Sequence, residues 1–81
     1  MRATLVDISP NGKDSVTVTM HGPMTGTTTM NLPLAHKEFL EQWQRWQQGK
    51  LIQYAFPTLT AEQREFLMTG LTPEKWKELF G

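Results

Sequence analysis

Residues 15–20 read Ser-Val-Thr-Val-Thr-Met, and no other stretch limits the possible folds of this chain so strongly. Val16, Val18 and Met20 alternate strictly with Ser15, Thr17 and Thr19. A period of two marks a strand with one face in a core and the other in water. Such a strand needs partner strands for its backbone groups and an apolar layer over its inner face. The remaining sequence supplies both.

The partner strands flank it. Residues 3–9, Ala-Thr-Leu-Val-Asp-Ile-Ser, form a β-branched run in which Val6 and Ile8 are expected on one face. Asn11-Gly12 marks a turn between the two runs. Paired residues share a face, so Ile8 is expected opposite Val16 and Val6 opposite Val18. That parity requires an odd loop, of about three or five residues, with Gly12 at a positive φ. Residues 27–32, Thr-Thr-Thr-Met-Asn-Leu, place Thr28, Met30 and Leu32 inward. Met20 then pairs with Met30 or Thr28 across a second odd loop around Pro23 and Gly26. Ser15, Thr17, Thr19, Thr27 and Thr29 line the outer face, where Thr serves as a good strand residue.

Helical punctuation starts after Pro33. His36, Phe39, Leu40, Trp43, Trp46 and Gln47 fall on one stripe of a helix over 36–48, with Gly49 as its stop. The two Trp are expected against a sheet face made by Val6, Ile8, Val16, Val18 and Met30. A short helical turn is expected over 50–55, closed by Phe56-Pro57. Thr60 and Gln63 have the spacing of a capping box that opens the next helix. Phe66, Leu67 and Met68 are consecutive and need cover on more than one side, and Gly70 is a left-handed stop. Thr72-Pro73 restarts a helix whose inner face is expected to hold Trp76, Leu79 and Phe80. The predicted class is α+β: an N-terminal three-stranded antiparallel meander over 1–34, then three to four short helices over 35–81 packed on one face. At 81 residues the chain is read as a single domain, 1–81.

Composition removes several chemistries. There is no cysteine, hence no disulfide, thiolate metal site or thiol nucleophile. Lys and Arg balance Asp and Glu, so net charge gives no pull toward nucleic acid or an anionic membrane, and it favours self-association. No apolar run reaches the roughly 20 residues of a membrane span. The first ten residues lack the apolar segment of a secretory signal, so a cytoplasmic location is expected. His21 and His36 are the only histidines. Ser9, His21 and Asp7 contain the residue types of a hydrolytic triad, but no nucleophile-elbow sequence surrounds the serine. The chain is therefore expected to be no enzyme and to need no cofactor or metal.

Binding is left. All Phe, Tyr and Trp residues lie from Phe39 onward, so the strands carry no base-stacking aromatics. That disfavours nucleic acid, for which Arg64, Lys75 and Lys77 are the candidate cations. The turn His21-Gly22-Pro23-Met24-Thr25-Gly26 has glycines and a hydroxyl suited to a phosphate but lacks a P-loop ending. It supports an alternative reading as a small-ligand, nucleotide-type site. That site would use His21, Gly22, Thr25 and Gly26, the sheet hydroxyls Thr27 and Thr29, and Trp43 and Trp46. The segment Thr27–Leu32 carries no charge and is the expected edge for pairing with a second copy or a partner strand.

The C-terminal 35 residues resemble a pattern found in small accessory proteins of bacteriophages. It consists of Trp46, Gly49, Leu51-Ile52-Gln53, Ala55-Phe56-Pro57, Leu59, Arg64-Glu65-Phe66-Leu67, Thr69-Gly70, Thr72, Trp76 and Leu79-Phe80. The resemblance brings no catalytic or ligand residues with it. It implies an accessory protein acting in a bacterial cytoplasm. The expected role is that of a protein-interaction module that binds or inhibits a host or viral protein, with self-association through Thr27–Leu32.

Overall fold

Val16, Val18 and Met20 have no exposed surface in the computed structural model of the chain, which describes residues 2–81. They form the inner face of β2 (Val16–Gly22), the middle strand of an antiparallel sheet with β1 (Thr4–Pro10) and β3 (Gly26–Leu32). Four helices follow: α1 (His36–Gln47), α2 (Ile52–Ala55), α3 (Ala61–Thr69) and α4 (Pro73–Phe80). The class is α+β, as the pattern predicts.

Both hairpin loops are odd. β2 and β3 pair without a break, Met20 opposite Thr28, Val18 opposite Met30 and Val16 opposite Leu32, around Pro23-Met24-Thr25. Gly26 closes that turn at φ 71°. The first loop runs from Asn11 to Ser15 with Gly12 at φ 85°. Its register differs from expectation: Pro10 opposes Val16 and Ile8 opposes Val18. A β-bulge lies between Leu5 and Asp7, and Val6 is its unpaired residue. The extra residue shifts the alternation, so Leu5 and Ile8 pack on the core while Val6 is 57% exposed.

The core lies between the sheet and the first three helices. Phe39 and Trp46 of α1, Phe56 after α2, and Phe66 and Leu67 of α3 are buried with Leu32, Leu34 and Leu59. Phe39 lies 5.8 Å from both Trp43 and Phe56, ring centre to ring centre, and Trp46 meets Trp43 edge-on at 5.2 Å. Trp43 is half-buried against this cluster. Leu40, expected on the same stripe, is exposed at its margin. Arg2 stacks over Trp46 at 4.5 Å, and the Ala3 N–H donates to the Met68 carbonyl at 2.7 Å, tying the chain before β1 to α3.

The helix boundaries follow local chemistry. The Gln63 N–H donates to the Thr60 hydroxyl at 3.2 Å, and the Thr60 N–H donates to the Gln63 side chain at 2.9 Å. Gly70 ends α3 at φ 81°. Thr72 caps α4, accepting the Lys75 N–H at 3.1 Å, with Pro73 in the first turn.

The α4 expectation is overturned. Trp76, Leu79 and Phe80 are exposed, and α4 buries no residue. The reason is room. Three strands about 4.8 Å apart make a face scarcely wider than one helix of about 10 Å and part of a second. Phe39, Trp46, Phe56, Phe66 and Leu67 already fill it.

Gly22 is needed for space. A Cβ there would collide with the Thr69 carbonyl oxygen and the Thr25 hydroxyl. Gly22→Ala is expected to destabilise the fold by about 2 kcal/mol through overpacking. Gly12→Ala, with nothing within 4 Å of the added carbon, meets only the left-handed backbone cost of about 1 kcal/mol. Urea midpoints of the two variants check the order.

Candidate functional site

The eight residues singled out for binding fall into three places. His21, Thr27 and Thr29 lie on the solvent face of the sheet. His21 Nδ1 is 3.1 Å from the Thr27 hydroxyl, and the Thr19 and Thr29 hydroxyls are 3.2 Å apart. The Thr17 hydroxyl donates to Asn31 Oδ1 at 2.7 Å. These are rungs across directly paired residues, so the side chains bond to each other across the strands.

Gly22, Thr25 and Gly26 form the β2–β3 turn, but its polar groups face the protein. Thr25 is only 5% exposed, and its hydroxyl donates to the Thr69 carbonyl at 2.9 Å. The Thr28 hydroxyl donates to the Gly70 carbonyl. The turn is thus stapled to the C-terminal end of α3, whose last carbonyls need partners. Trp43 and Trp46 belong to the aromatic cluster of α1 with Phe39 and Phe56. The structure brings His21 and Thr27 together, and Trp43 with Trp46, but does not unite the three groups around one cavity.

The candidate cations for nucleic acid are partly engaged. Lys75 pairs with Glu78 at 3.7 Å, and Arg64 Nε donates to the Thr60 carbonyl at 3.4 Å. Among the described residues no three His, Asp or Glu side chains converge as a metal site, and no helix is long and apolar enough to cross a membrane.

The most prominent open feature is apolar. Trp76 and Phe80 pack in a tilted contact on α4, ring centres 4.5 Å apart, and are 54% and 63% exposed. Leu79 is exposed beside them, and Met24, at the tip of the β2–β3 turn, is 79% exposed. Trp76 stands as a ridge between two recesses. One, of about 460 Å³, lies between α3 and α4 and is lined by Ala61, Glu62, Glu65, Leu71, Pro73 and Lys77. The other, of about 420 Å³, is lined by Pro23, Met24, Thr25, Glu65, Leu79 and Phe80. Among the described residues the one ion pair is Lys75–Glu78; Glu62, Glu65 and Lys77 line these recesses outside it, and Glu65 Oε2 accepts the Thr69 hydroxyl at 2.9 Å.

The sequence pointed to the 21–26 turn for its glycines and hydroxyls, and the surface uses Pro23, Met24 and Thr25 from it. It assigned Trp76, Leu79 and Phe80 to the core. A signal was available in the count of aromatic-bearing helices against a sheet of only three strands.

The two sheet edges also differ. β1 is bulged at Val6 and charged at Asp7, whereas β3 is uncharged and pairs with β2 without a bulge. No family model, curated protein or solved structure matches the chain.

Trp76 is the one exposed tryptophan among three. Acrylamide is expected to quench a single red-shifted component of the emission. Trp76→Phe should remove that component and leave the blue-shifted emission of Trp43 and Trp46. Equal quenching before and after the substitution would contradict this assignment.

Proposed function

We propose that this chain is a small protein-interaction module whose working surface is the outer face of α4 with the tip of the β2–β3 turn. One observation carries the reading: Trp76, Leu79, Phe80 and Met24 form a contiguous exposed apolar surface, beside recesses that Glu62, Glu65 and Lys77 also line. Large exposed aromatics grouped beside recesses are the composition of binding hot spots. Burying them in a partner recovers hydrophobic free energy that the monomer's own core has no room to collect. The role proposed is that of an accessory protein of bacteriophage type, acting in a bacterial cytoplasm on a protein target rather than by catalysis. The C-terminal resemblance supports that setting, since Trp76 and Leu79-Phe80 belong to the matching pattern.

The test is capture by the immobilised wild-type chain compared with a Trp76→Ser/Phe80→Ser variant. Both positions are exposed, so the variant is expected to keep its unfolding midpoint within about 0.5 kcal/mol of wild type. A bound protein, including a second copy of the chain, should be retained by the wild type and lost from the variant. Equal retention by both would move the working surface elsewhere.

A further inference from the structure

The α3–α4 surface carries more information than exposure alone. Its shape is a ridge flanked by hollows, with Trp76 standing between the two recesses and Phe80 beside it in the second. Its charge is divided. Glu62 on α3 is an acidic group of the first recess and Lys77 on α4 a basic one of the same recess, while Glu65, one turn from Glu62, lies between the two recesses. Among the described residues none of the three forms an ion pair, and Glu65 Oε2 accepts the Thr69 hydroxyl at 2.9 Å.

A surface with a ridge beside a hollow and an acidic border opposite a basic one is complementary to itself after a half-turn. That is the requirement of an isologous contact, in which each copy offers and receives the same features. We infer that the occupant of this surface is a second copy of the chain. Trp76 of each copy enters the recess of the other, and Lys77 of each faces Glu62 and Glu65 of the other. This inference rests on the interaction reading above and adds the identity of the partner.

Area and charge agree with that choice. Exposed portions of Trp76, Leu79, Phe80 and Met24 amount to roughly 400–500 Å² per copy, near the upper range that monomers leave open. Two such faces bury about 1,000 Å², the lower end of specific interfaces, which corresponds to a reversible dimer rather than an obligate one. A net charge of zero gives no long-range repulsion between copies. A purely basic or purely acidic partner would satisfy one border and oppose the other, whereas a second copy satisfies both.

The experiment is a charge swap followed by sedimentation equilibrium. Glu62 and Lys77 are exposed, so each variant is expected to keep its fold, which urea unfolding checks. Wild type should dimerise reversibly below about 1 mM. Lys77→Glu and Glu62→Lys each place like charges at both symmetric borders and should weaken the dimer about tenfold or more. Mixed in equal amounts, the two single variants restore both opposite pairings, and the heterodimer should form at close to wild-type strength. Recovery on mixing is the outcome that a different partner or a different face does not produce.

Three results would overturn the inference. A wild type that stays monomeric to about 1 mM means that a second copy does not occupy the surface, and the capture experiment then decides the broader reading alone. A dimer indifferent to both reversals means that the copies meet elsewhere, the β3 edge being the next surface to test. Failure of the mixed variants to recover association means that Glu62 and Lys77 do not face each other across a two-fold axis.

Discussion

The attachment of the β2–β3 turn to the end of α3 is the contact on which the arrangement of this protein depends. The hydroxyls of Thr25 and Thr28 donate to the carbonyls of Thr69 and Gly70. Those carbonyls are among the orphan acceptors that every helix leaves at its C-terminal end. Gly22 and Gly70 lack side chains where the two backbones meet, and a Cβ on Gly70 would lie 2.7 Å from the Thr25 hydroxyl oxygen. A polar turn and a helix end that would otherwise both need water satisfy each other. The join sets α3 against β2 and β3 and buries Phe66 and Leu67.

The direction of α4 follows from that join. Gly70 takes the left-handed conformation, and Leu71 and Thr72 are the only residues before Pro73 opens α4. So short a connection keeps α4 beside α3 and the hairpin tip, away from the sheet face that α1 and α3 already occupy. An eight-residue amphipathic helix is too short to be stable on its own and usually gains stability by burying its apolar face. Here that face remains open. The same cap that completes the core therefore presents Trp76, Leu79 and Phe80 on the outside.

The outer face of the sheet shows the opposite economy. Its Thr, Asn and His side chains pair with each other across β2 and β3. Such rungs stabilise the sheet and leave a polar surface that water covers well. The hydroxyls that suggested a ligand site in the sequence are used by the strands that carry them. Exposed apolar side chains are instead grouped beside the α3–α4 recess.

Much of this was legible in the residues themselves. The alternation of Val16, Val18 and Met20, the odd loops with Gly12 and Gly26, the Thr60–Gln63 box, Gly70 and Thr72-Pro73 are local signals, because each depends on neighbouring backbone geometry. They determined the elements, their order and most of their inward faces. Three features had no local signal. The bulge at Val6 arises only when β1 meets the register of β2, so the inward residue became Leu5. The use of Thr25 within the protein depends on a carbonyl 44 residues away in the chain. The exposure of Trp76, Leu79 and Phe80 depends on how much sheet remains after α1 and α3 have packed. Apolar periodicity identifies which side of a helix avoids water, but only the tertiary structure decides whether the chain has enough surface of its own to cover it.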